Sequence, residues 1–244
     1  MKPVMSKFRA FSPLKLTALH FPFVHSIILN LKYLIMKSKH FFPFFLLLAF
    51  AIHPNNVGAQ DASRIFNEDI TWLGVDYSKV TVLGETASPI QIIDYFDKIN
   101  TLIISESEKY NFRLALNKME VPYDLGPVTK ANAGINPDEL VSMSSKSAAL
   151  TKEDVEAAVR NYDLKGQKGI GLVFVMEALD KPGGNGHMWV TFLDMATKKV
   201  LLTERMSGKP GGFGFRNYWA RPIYNVLQDI QKTRYEQWKR KYKD

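Results

Sequence analysis

The sequence predicts an α+β fold: a mixed sheet of about five strands in the order β-α-β-α-β-β-β-α, with a three-strand antiparallel meander near the C-terminus and a long final helix. Three observations predict it. Ile170 to Leu179 (IGLVFVMEAL) is apolar on both faces, as a strand buried on two sides must be, and two further strand-like segments follow it after short turns. Ser88-Pro89-Ile90-Gln91 punctuates the start of an amphipathic helix. Residues 60–244 are nearly neutral and long enough to bury about 70% of their unfolded surface in a single core.

Along the chain, Thr71 to Glu85 (TWLGVDYSKVTVLGE) is rich in β-branched and aromatic residues and reads as a strand with a turn near Tyr77-Ser78. In the helix that follows, Ser88 caps, Pro89 suits the first position and Gln91 reaches back to close a capping box. Its stripe of Ile92, Phe96, Ile99 and Ile103 has helical spacing, so one face packs on a sheet. Residues 119–150 are the least regular, and read as a short strand at Met119 to Asp124 and then a long loop with a helical turn at Pro137 to Val141. Thr151 caps a second helix whose first turn carries Glu153 and Asp154, where the helix dipole favours anions.

After the central strand, KPGGNG (Lys181 to Gly186) supplies residues that accept positive φ and predicts a hairpin into His187 to Asp194. A turn around Ala196-Thr197-Lys198 leads to a third strand, Lys199 to Met206, completing the meander. The loop SGKPGGFG (Ser207 to Gly214) precedes the last helix, which runs through Trp219, Ile223, Val226, Leu227 and Ile230. Pro222 predicts that its regular part begins near Arg221 or is kinked there.

The whole chain carries 32 Lys+Arg against 24 Asp+Glu, a net charge of +8. Residues 1–59 hold seven of those basic residues and no acidic one, so residues 60–244 carry 25 and 24. From Met36 the chain reads as a signal peptide, residues 36–59. Lys37 and Lys39 form a basic head, Phe41 to Ile52 an apolar run of 12 residues, and Val57-Gly58-Ala59 a cleavage site before Gln60. That run is too short to span a bilayer core of about 30 Å. The expected destination is periplasmic or extracellular. Residues 1–35 form a second basic and apolar stretch, broken by His20, His25, Asn30 and Lys32. Either Met36 is the true start, or residues 1–35 are a longer leader or membrane anchor.

The chain has no Cys, which excludes disulfides and thiolate metal sites, and His187 is the only histidine after residue 59, which excludes a multi-histidine metal centre. No cofactor motif is present. Outside its last 14 residues the exported part is slightly acidic, which argues against nucleic acid as a partner. Three places could carry function. Glu177, Asp194 and His187 on the meander are the catalytic candidates, Glu177 because a carboxylate in an apolar strand must be paired, raised in pKa or turned to solvent. In the loop before the last helix, Lys209, Gly211, Gly212, Gly214 and Arg216 could let backbone N–H groups and two cations meet an anion, or the glycines could simply form a tight crossover. Gln231 to Asp244 holds six basic residues interleaved with Tyr235, Trp238 and Tyr242, and reads either as a peripheral membrane contact or as a solvated helix with its rings packed down.

Met188 to Gly208 (MWVTFLDMATKKVLLTERMSG) resembles the strand-turn-strand of "vDxxTxxvL" form in bacterial envelope proteins of the curli-export and TolB N-terminal type, and the helix LTKEDVEAAV precedes the central strand there too. The chain departs from the curli-export type in having no cysteine to lipidate. VDYS (Val75 to Ser78), GGFGFRNYWA (Gly211 to Ala220) and the Ala59-Gln60 junction resemble uncharacterised secreted proteins of the Bacteroidota, over most of residues 60–244. Neither resemblance implies a catalytic or ligand residue. Residues and resemblance together predict an exported, non-catalytic envelope or secreted protein that binds an envelope protein or a small anionic ligand. The alternative is a secreted hydrolase using Glu177, Asp194 and His187.

Overall fold

The computed structural model describes residues 57–144 and 148–243. The leader and all but the last three residues of the signal peptide lie outside the described residues. The fold is α+β, and its sheet has six strands: β1 (Ile70–Asp76), β2 (Thr81–Leu83), β3 (Val141–Ser142), β4 (Ile170–Asp180), β5 (Asn185–Asp194) and β6 (Val200–Gly208). The sheet order is β3-β2-β4-β5-β6, with β1 also paired to β4. The extra strand comes from the Tyr77-Ser78 turn, where Val80 N–H donates to the Tyr77 carbonyl at 3.0 Å. It divides one segment into β1 and β2, and both run parallel along the same edge of β4. β5 and β6 add the antiparallel meander.

Met119 to Asp124 does not form the expected strand. Tyr123 makes a single parallel bridge to Trp72, flanked by Trp72 N–H to the Pro122 carbonyl (2.8 Å) and Asp124 N–H to the Trp72 carbonyl (2.9 Å). Pro122 has no N–H to continue a ladder. The second strand of the expected order is instead the two-residue β3.

Helices cover both faces. Those before the central strand are α1 (Val57–Asn67), α2 (Pro89–Ser105), the short α3 (Phe112–Ala115), α4 (Gly126–Asn132) and α5 (Pro137–Leu140), and α6 (Lys152–Arg160). The expected capping box of Ser88 with Gln91 is present, and the expected Thr151 cap proves to be a capping box as well, closed by Asp154. The chain ends in α7 (Phe215–Asp229), a π-helical turn (Ile230–Arg234) and α8 (Tyr235–Tyr242). Alternation along β4 sorts the core. Ile170, Leu172, Phe174 and Met176 enter a large cluster with Phe96, Ile99, Trp219 and Ile223. Val173 and Val175 enter a smaller one with Val155, Val159 and Tyr162. The α2 stripe of Ile92, Phe96, Ile99 and Ile103 is buried throughout.

The last helix corrects one expectation. It starts at Phe215, six residues before Arg221, and Pro222 lies inside it. Proline there removes the N–H that would bond the carbonyl of Tyr218 four residues back. That carbonyl does not stay unpaired: it accepts Gly211 N–H at 3.1 Å. The proline ring also lies against the hairpin end, where Gly186 and Gly208 face each other across β5 and β6. A Cβ on Gly186 would come within 2.8 Å of Pro222 Cβ, and one on Gly208 would collide with the Pro222 backbone.

Candidate functional site

The loop between β6 and α7 folds as a consequence of these contacts. Gly212 (φ 106°) and Gly214 (φ 78°) take left-handed conformations that a side chain disfavours, and Gly214 occupies the position before the first turn of α7. The Gly211 N–H bond to Tyr218 and the Asn225 Nδ2 bond to the Lys209 carbonyl (2.8 Å) hold the loop back against its own helix. The four rings in or after the loop divide. Trp219 is buried in the large core and donates Nε1–H to Glu85 Oε1 (2.8 Å), while Phe215 and Tyr218 are half-buried. Phe213 is 95% exposed. The loop is therefore both a crossover anchored by Trp219 and the wall of an open surface.

That surface has two compartments. On one side lies an open cleft of about 630 Å³ whose walls include Lys209, Gly211, Gly212, Phe213, Arg216 and Arg221. Among the described residues, Lys209, Arg216 and Arg221 make no ion pair with a carboxylate. Arg221 lies over the ring of Tyr224 at 5.0 Å and Arg216 Nε donates to Asn217 Oδ1 at 3.3 Å, both neutral partners. The cleft's one carboxylate, Glu106, is already matched by Lys109 at 2.8 Å. Three uncompensated cations thus line one concave wall, beside the opening turn of α7 with its partial positive charge. On the other side of Gly212 a second cleft, of about 350 Å³, contains Tyr95, Phe215 and Tyr218, with the Glu85–Lys181 ion pair (3.0 Å) also in its wall. Tyr95 and Phe215 stack with centroids 4.9 Å apart.

All five residues expected at the loop line one of these compartments: Lys209, Gly211 and Arg216 the first, Gly214 the second, and Gly212 both. Sequence reasoning missed Lys109, Arg221 and Asn225. The last two had a signal. Asn217, Arg221 and Asn225 recur every four residues and form one polar stripe on α7, which an assumed helix start at Arg221 concealed. Lys109 comes from the turn after α2, and no local pattern announces it.

Of the meander residues, Glu177 and His187 are neighbours across β4 and β5, and Asp194 does not join them. Asp194 pairs with Ile170 at one end of the sheet, while His187 pairs with Ala178 at the other, about 23 Å away along β5. Asp194 accepts Arg64 Nη1 at 2.7 Å and Thr197 N–H at 2.8 Å and fixes the β5–β6 turn. Glu177 sits at a bulge in β4 and is 2% exposed. Its carboxylate accepts Arg205 Nη2 (2.6 Å), Arg205 Nε (2.9 Å), Trp189 Nε1 (3.0 Å) and the Leu150 N–H (3.3 Å). Burial is the largest single influence on it and disfavours the charged form. The Arg205 and Trp189 hydrogen bonds, the Arg205 charge and the Leu150 N–H together outweigh it, so the pKa lies below the usual glutamate range. His187 is pushed down by burial and then by the Arg205 charge, and its Nδ1 is buried without a partner among the described residues. Glu177 is thus a saturated ion-pair member, with no lone pair directed at a substrate.

In the C-terminal segment the rings are packed down. Trp238 donates Nε1–H to Glu204 Oε2 (2.6 Å) and lies edge-on to Phe192, while Tyr235 lies edge-on to Phe66. The π-helical turn contributes by placing Arg234 3.1 Å from both Glu204 and Asp229. The exposed face that remains is cationic, with no free ring to enter a bilayer.

No helix among the described residues is long and apolar enough to cross a membrane. No protein-family model and no curated protein matches the chain. Among solved structures, the LpoB C-terminal domain from Salmonella enterica is similar over 64% of this chain and 98% of that domain, at 11% identity and a TM-score of 0.26, a likeness too distant to inform either fold or function.

Proposed function

We propose that this is an exported, non-catalytic binding protein that holds a negatively charged partner or ligand against the loop between β6 and α7. The observation that carries the reading is the concave wall of Lys209, Arg216 and Arg221, three cations without a carboxylate partner among the described residues, at a loop fixed by hydrogen bonds to its own helix. Unpaired cations gathered in a concavity leave a positive potential that a bound anion relieves. Export is supported by the Lys37 to Ala59 pattern. A hydrolase built on Glu177, Asp194 and His187 has less support, since the first is saturated by Arg205 and the second lies at the opposite end of the sheet.

The test is a titration of the full chain with oligoglutamate, followed by calorimetry, beside the K209Q/R216Q double variant. Both side chains point away from the core, so the variant should fold as the parent does. Each exposed charge pair contributes up to about 1 kcal/mol, so the variant should bind about tenfold more weakly. Equal binding by the two proteins would overturn the reading.

A further inference from the structure

Resting on that reading, we infer that the occupant of the loop is a segment of another polypeptide in which acidic residues lie next to an aromatic or aliphatic side chain. The arrangement of the two clefts points to it. Gly212 belongs to both, so the cationic compartment and the Tyr95–Phe215–Tyr218 compartment adjoin along a single ridge of backbone. Phe213 stands on that ridge almost wholly exposed, where burial against a partner would remove a full aromatic surface from water.

Each simpler occupant leaves part of this surface unused. Free phosphate or another small anion would neutralise Lys209, Arg216 and Arg221 but leave Phe213 and the aromatic cleft wet. An anionic bilayer would meet the cations and Phe213, yet a flat surface cannot enter a cleft of about 630 Å³. A chain in extended form alternates its side chains on opposite faces. It can therefore set carboxylates into one compartment and an apolar group into the other while its backbone crosses the ridge.

The experiment is selection of a random peptide library displayed on phage against the immobilised full chain, with the selected peptides then synthesised and titrated. The expected result is enrichment of Asp or Glu within a few residues of Phe, Tyr, Trp or Leu. Binding should weaken about tenfold on K209Q/R216Q and about fivefold on F213A, while oligoglutamate should not distinguish F213A from the parent. Phe213 makes no core contact, so F213A tests the ridge without threatening the fold.

Enrichment of acidic residues alone, or indifference to F213A, would overturn this inference and leave the anionic-partner reading standing. Selected peptides that bind K209Q/R216Q as tightly as the parent would overturn both. No enrichment, together with inorganic phosphate or phosphatidylglycerol vesicles binding in a Lys209- and Arg216-dependent way, would assign the cations to a small anion or a membrane and overturn the peptide assignment.

Discussion

Glu177 shows how far a single residue can be read from sequence. A carboxylate inside IGLVFVMEAL has to be paired, neutral or turned to solvent, and the structure pairs it with Arg205. The choice could not be made from sequence, because Arg205 reaches Glu177 from β6, 28 residues on, across a strand register that a bulge shifts. Removing Arg205 would leave a buried carboxylate with only two neutral N–H donors. The Arg205 side chain is 42% exposed, so solvent screens part of the pair. Arg205→Ala should then cost about 2 kcal/mol in urea unfolding at pH 7. The pH dependence follows from the direction of the shift. A folded pKa below the unfolded one makes the pair's contribution fully present above the ordinary glutamate range and loses it as pH falls through the lower, folded value. The difference between parent and variant should therefore narrow in acid. A gap that stays constant down to that range would show that Glu177 is not the group being stabilised.

At the scale of elements, legibility tracked local chemistry. The capping box at Ser88, the Thr151 cap, the 3.6-residue stripe of α2 and the glycine-rich β4–β5 turn all act within a few residues, and all are present as expected. What sequence did not show depends on distant partners. That β1 and β2, on either side of the expected Tyr77-Ser78 turn, lie parallel along the same edge of β4 is one case, and the fold of α7 is another. Pro222 reads in sequence as a helix boundary or a kink. It is instead accommodated because Gly211 N–H takes the Tyr218 carbonyl that proline leaves free, and because Gly186 and Gly208 make room for the ring. The proline thus ties the loop to the helix. Pro222→Ala would restore a helical N–H that competes for the Tyr218 carbonyl, so hydrogen exchange at the Gly211 amide should accelerate about tenfold while global stability changes little. Unchanged Gly211 protection would mean the loop is held without this bond.

For the whole molecule, the net charge of +8 does not describe the described domain. Once residues 1–59 are set aside, the positive character that remains is concentrated in two places, the β6–α7 loop and the last helix. The two differ in shape. In α8, Tyr235 and Trp238 are consumed by the core and leave a convex row of lysines and arginines. In the loop, cations, an exposed ring and an aromatic cleft adjoin at a concavity. An anion drawn by charge alone would visit both, and the two differ in what they offer once it arrives. The most direct measurement is therefore residue-resolved. Titrating oligoglutamate into uniformly ¹⁵N-labelled protein at physiological salt should shift amide resonances of Lys209 to Asn217, Arg221 and Asn225, with weaker, salt-sensitive changes in Lys239 to Lys243. Shifts confined to the last helix, or spread evenly over all lysine-bearing surfaces, would contradict a binding site at the loop.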